Sequence, residues 1–186
     1  ASSTHEEHIK GLSRSSMKSP QVQEETDIEW FVAHTRPRCE KKLRMYLDRE
    51  LIYNILPTVQ SVHKYRGKTV SFDKPLFPGY VFLKIDPLNR QKVYQSDYVA
   101  NLLDVPDQEG FHSQLADIFE AIESGCELKL APEIGAGKRV IIKSGPMRGI
   151  EGWVEDRYGR STVLLRLDFI GQAAALSMEA DMLELV

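Results

Sequence analysis

The apolar positions of this 186-residue chain follow three regimes: scattered single residues before position 28, mixed strand and helix periods up to about 125, and short strand-length runs after 137. The tract 1–27, rich in Ser, Glu, Gln and His, cannot bury enough surface to offset the entropy of ordering it, and is expected to be a disordered tail. An apolar run of strand length follows at 30–33. Thr35 and Pro37 then signal a helix start, and Cys39, Leu43, Tyr46 and Leu47 space one apolar stripe along a helix over 38–50. Strands are expected at 53–56, 59–65 and 69–72, with Arg66-Gly67 as a hairpin turn between the last two. A strand over 80–85 comes next, then a short helix opened by Asp86-Pro87 and ending near 95, and a strand over 99–105. A second amphipathic helix over 113–124 places Leu115, Ile118, Phe119 and Ile122 on one face, and Gly125 stops it.

From 126 to 136 the periodicity dissolves into a Pro- and Gly-containing stretch, expected to be a linker. Five short strands then fit the pattern, at 139–143, 152–157, 162–167, 174–178 and 182–185. So many short strands in so little chain suggest a small barrel that closes its own edges. The architecture expected is α+β: a tail over 1–27, an antiparallel sheet flanked by helices over 28–125, the linker over 126–136 and a five-stranded barrel over 137–186.

Composition narrows the functional classes. At 42% hydrophobic residues the chain is expected to be globular, and 24 basic against 27 acidic residues leave a net charge of −3 that favours no partner by itself. The charge is unevenly spread, however. Arg36, Arg38, Lys41, Lys42, Arg44 and Arg49 on the first helix, and Lys64, Arg66 and Lys68 on the hairpin, form two positive clusters. Either they are solvated faces offset by Glu40, Asp48 and Glu50, or they meet nucleic-acid phosphates. Cys39 and Cys126 fit no metal or redox spacing and read as two reduced thiols. His5 and His8, in the tail, are too few to hold a metal. No apolar run reaches the roughly 18 residues of a membrane span and no signal peptide is evident, so a cytoplasmic protein is expected. The histidines His34, His63 and His112 are scattered, no phosphate-cradling loop ends in Lys-Ser/Thr, and the acidic pairs lie in the tail. No catalytic residue, metal or cofactor is expected, and the chain does not read as an enzyme.

Two motifs carry the strongest signal. Pro75-Leu76-Phe77-Pro78-Gly79-Tyr80-Val81-Phe82 is a stiff aromatic turn entering a strand. Gly145-Pro146-Met147-Arg148-Gly149-Ile150-Glu151-Gly152-Trp153-Val154 follows the apolar run Val140-Ile141-Ile142 and spaces glycines as a tightly turned barrel needs. In this order they resemble the NusG/RfaH family of transcription elongation factors, with the first domain NGN-like and the second a KOW-type, SH3-like barrel. The resemblance covers about 28–186. It implies a polymerase-binding surface on the clamp helices of RNA polymerase made by His34, Phe77, Pro78, Tyr80 and Phe82. It also implies a non-template DNA contact through Arg36, Lys42 and Arg49, and a barrel loop, Phe169, Ile170 and Gly171, that engages a small ribosomal protein or the termination factor Rho. A monomer without membrane contact is expected. The barrel loop continues as Gln172-Ala173-Ala174-Ala175 where housekeeping members have an Arg and a Thr-Pro pair, which favours a specialised paralogue acting at long operons. A housekeeping factor acting with Rho, and an RNA- or ribosome-binding KOW protein of translation, remain the alternatives.

Overall fold

The computed structural model describes residues 27–186, so the expected tail lies outside the described residues except for Asp27. These residues form two compact units, one of residues 27–58 with 77–109 and one of 59–76 with 110–186.

The first unit is built on an antiparallel sheet. Its strands are β1 (Glu29–Thr35), β2 (Tyr53–Ile55), β5 (Tyr80–Ile85) and β6 (Val99–Asp104), in the order β2-β5-β1-β6. Between β2 and β5 the chain makes β3 (Thr58–Tyr65) and β4 (Lys68–Pro75), a two-stranded sheet of their own. Strand alternation sends Phe31, Ala33, Val81, Leu83 and Ile85 into one core, where Leu43 and Leu47 of helix α1 (Glu40–Arg49) and Val93 of α2 (Arg90–Tyr94) meet them.

Helix α1 starts two residues later than its apolar spacing suggests. Arg38 takes φ +60°, which no α-helix tolerates, and Cys39 becomes the residue before the first turn. Thr35 is no cap at all: it is a strand residue of β1, opposite Val99. Asp86 does cap the following 3₁₀ turn, its carboxylate accepting from the Leu88 N–H at 2.9 Å.

Helix α3 (Gln108–Glu123) begins five residues before the expected start. Its first residue is fixed from a distance, because the Gln108 amide accepts from the Trp30 N–H and donates to the Trp30 carbonyl at 2.6 and 2.9 Å. Phe111, Leu115, Ile118 and Phe119 of α3 are buried, whereas Ile122 is only partly so.

The five strands expected after residue 137 are present as β8 (Lys138–Ile142), β9 (Glu151–Val154), β10 (Thr162–Leu167), β11 (Gln172–Ser177) and β12 (Leu183–Leu185). A sixth joins them. Residues 126–136, expected as a linker, contain β7 (Leu128–Ala131), which pairs with β11 from Ala173↔Ala131 to Leu176↔Leu128. The barrel-like antiparallel sheet therefore runs β12-β8-β9-β10-β11-β7. Gly152 is tight against β10: a Cβ there would lie 2.4 Å from Val163 Cγ1.

Segment 133–137 is held down as well. Glu155, 3% exposed, accepts from the Gly135 N–H at 3.2 Å and from Arg157, and lies 3.5 Å from Arg166. Burial alone would push this carboxyl up. The bonds from Gly135 and Arg157, with the charges of Arg157 and Arg166, reverse the sign and hold it below the usual carboxylate range. The Arg166 guanidinium completes the group by stacking 3.9 Å from the centre of the Trp153 ring.

Candidate functional site

The turn Phe77-Pro78-Gly79-Tyr80 is rigid for local reasons. Proline at its second position and glycine at its third, with φ +88°, is the type II pattern, and the Tyr80 N–H closes it on the Phe77 carbonyl at 3.3 Å. The Gly79 carbonyl in turn accepts from the Thr35 N–H at 2.9 Å, which ties the turn to the end of β1.

This tie places His34 beside Tyr80. The two residues are cross-strand partners in the β1–β5 ladder, and their rings stack with centroids 5.3 Å apart and planes 28° apart. A register shift between His34 and Thr35, where β1 meets β6, falls at the same point. His34 and Pro78 are exposed and Tyr80 is half-buried.

The other two aromatics expected at this surface lie under it. Phe77 and Phe82 are 1% and 0% exposed and pack edge to face at 6.2 Å. Of the five residues, His34, Pro78 and Tyr80 form the accessible face, and Phe77 and Phe82 are the buried support that fixes its shape. Burial of this kind leaves no trace in a strand with apolar residues on both sides, since alternation does not say which side is solvent.

The basic residues gather on and before α1. Lys42 and Arg49 are exposed and seven apart, hence on one helix face with exposed Met45, and Arg36 is exposed in the turn before it. The backbone of Arg36 is anchored, its N–H donating to the Tyr98 carbonyl at 2.8 Å. Arg44 faces inward: burial lowers its pKa, partly offset by Asp48, 3.8 Å away. Asp48 also accepts from the Asn54 amide at 2.7 Å.

In the second unit, Phe169 and Ile170 belong to a 3₁₀ turn closed by Gly171 at φ +66°. The Gln114 amide of α3 donates to the Asp168 carboxylate at 2.7 Å and accepts from the Asp168 N–H at 3.0 Å, while Phe111 meets Phe169 edge to face at 6.3 Å. Phe169 is still 36% exposed.

Cys39 and Cys126 are both free thiols. Among the described residues, no three His, Cys, Asp or Glu side chains gather as a metal would require, and no helix is long and apolar enough to cross a membrane.

The first unit thus carries an accessible stacked ring pair and a set of exposed basic residues on and before α1, in a chain that also holds a barrel-like β unit. Residues 28–114 match the family model described as transcription termination factor nusG. That match spans a little under half of the chain and marks a domain similar to those of the NusG family. The chain is similar to the transcription termination/antitermination protein NusG of Rickettsia felis (strain ATCC VR-1525 / URRWXCal2), at 24% identity over 69% of this chain and 74% of that protein. A chain of the crystal structure of the MjSpt4:Spt5 complex in conformation B aligns at 16% identity over 84% of this chain and 96% of its own, with a TM-score of 0.25.

Proposed function

We propose that this chain is a transcription elongation and antitermination factor that grips the clamp helices of RNA polymerase and suppresses pausing or termination at specific long operons. The observation that carries the reading is the accessible His34–Tyr80 stack on a rigid turn within the segment that matches the NusG family model. A coiled-coil partner needs such a surface: ring area that is already ordered, at little entropic cost on binding. Holding the clamp closed favours the processive state by differential affinity, with no covalent step. The functional halves are residues 28–125 and 137–186, the first for polymerase and the second for a further partner. Phe169, Ile170 and Gly171 are the contact for that partner, a small ribosomal protein or Rho. A partner that takes the Phe169 ring must replace its packing against Phe111.

Arg36, Lys42 and Arg49 add contact with non-template DNA. Purified elongation complexes halted at a pause test the whole reading. Added protein is expected to shorten the pause. Replacing the three basic residues by Gln is expected to lower recruitment and to flatten its log–log salt dependence by about 2, since each neutralised phosphate on a single strand adds about 0.7 to the slope. Polymerase binding away from the DNA element should be unchanged. Recruitment that survives the triple substitution at physiological salt would make α1 a solvated face.

A further inference from the structure

The β3–β4 hairpin exposes rings that neither the His34–Tyr80 surface nor the α1 surface uses. Arg66 and Gly67, at φ +49° and +77°, form a two-residue turn of the I′ kind, which matches the twist of the two strands. Period two along β3 puts His63 and Tyr65 on one face, and along β4 it puts Lys68, Val70, Phe72 and Lys74 on one face. The two faces are the same side of the hairpin, because the His63 and Phe72 rings stack at 5.1 Å with planes 5° apart. Gln60 meets Ser71 and Asp73 on the other side.

This face is apolar, aromatic and open. Tyr65 is 65% exposed, Val70 50% and Phe72 41%. Its charge is one-sided too: residues 59–76 hold Lys64, Arg66, Lys68 and Lys74 against the single acid Asp73, in a chain whose net charge is −3. The Arg66 guanidinium lies 5.4 Å from the centre of the Tyr65 ring, a cation held beside a stacking surface. Open rings interleaved with basic side chains are what a nucleic acid with unpaired bases requires, because each base offers a π-face and each linkage a negative charge.

We infer that this face of the hairpin binds single-stranded nucleic acid, bases stacking on Tyr65 and on the His63–Phe72 pair while Arg66, Lys68 and Lys74 meet phosphates. The inference deepens the nucleic-acid part of the proposed function and rests on that reading for its setting; the polymerase contact through His34 and Tyr80 is independent of it.

The test uses the full chain and fluorescently labelled oligo-dT, oligo-rU and duplex DNA of about twelve nucleotides, within the range of single-strand site sizes. Tyr65→Ala with Phe72→Ala is expected to weaken binding to both single strands by about thirtyfold or more and duplex binding by less than about threefold. Lys68→Gln with Lys74→Gln should lower the salt slope by about 1.4. Tyr65→Phe should bind as the parent does, and Tyr65→Trp should show its fluorescence quenched by oligo-dT. The relative affinities for oligo-dT and oligo-rU distinguish a DNA strand from a transcript. Undiminished single-strand binding by the Tyr65, Phe72 double variant overturns the inference, as does a parent chain that binds polymerase but neither single strand. A double variant that loses polymerase instead of oligonucleotide also overturns it, making the hairpin a protein contact. A parent chain that binds neither polymerase nor oligonucleotide removes the proposed function along with it.

Discussion

Glu155→Gln is expected to lower the stability of the second unit by about 3 kcal/mol at neutral pH, the scale for removing one partner of a buried ion pair. Glu155 is 3% exposed and lies between Arg157 and Arg166, and the Arg166 side chain is itself largely buried. Loss of the carboxylate charge leaves that guanidinium on the Trp153 ring without the anion that lies 3.5 Å from it and loosens the hold on Gly135. The pH dependence has a definite sign. The folded carboxyl titrates below its ordinary value of 4.5, so its contribution is complete above that pH and is lost as pH falls through the lower folded value. Urea unfolding followed by tryptophan fluorescence between pH 7 and pH 3 should show this acid limb in the parent chain and a shallower one in the variant. Equal stability of the two proteins at pH 7 would remove Glu155 as the pin of this segment.

His34→Ala combined with Tyr80→Ala is expected to weaken polymerase binding by about a hundredfold or more. Each aromatic anchor at the centre of an interface is commonly worth about 2 kcal/mol, and the stacked pair is ordered before any partner arrives. His34 is exposed and Tyr80 half-buried, so the double variant should lose no more than about 1 kcal/mol of stability. Phe82→Ala is the contrasting case. At 0% exposure and packed on Phe77, its loss opens a cavity and costs about 3–5 kcal/mol. It should abolish binding only by unfolding the unit, with a fall in denaturation midpoint that the surface pair does not show. A double variant that binds as the parent does would leave this face without the role proposed for it.

Much of the fold was legible where local pattern and burial agree. Strand Tyr80–Ile85 is bounded as its residues suggest, Leu43 and Leu47 form the buried stripe of α1, and Arg66-Gly67 makes the hairpin turn. The departures share a cause: each depends on a partner distant in the chain or on a single dihedral. The start of α3 is set by the bond between Gln108 and Trp30, 78 residues apart. Strand β7 exists because Leu128 and Ala131 find β11, and a four-residue pattern announces no such partner. The left-handed Arg38 that delays α1 could not be foreseen from a residue type that seldom adopts it.

The candidate surfaces were legible in their residues and not in their depth. Tyr80 and Phe82 are two apart on one strand, yet one is partly open and the other sealed, because Phe77 folds against Phe82 while His34 stacks on Tyr80. The basic cluster of the hairpin stood out as charge; its ring face did not. That face depends on the stacking of His63 on Phe72, nine positions apart across the turn. Glu155 carried no signal either, being one acid among many until Arg157 and Arg166 are placed around it.

The central claim is the grip on RNA polymerase, and a titration of the purified chain against polymerase and its isolated clamp-helix coiled coil tests it most directly. Saturable binding to both, abolished by His34→Ala with Tyr80→Ala in a protein that remains folded, is the predicted result. Failure to bind either, with saturable binding to ribosomal subunits instead, would contradict it and move the chain to translation.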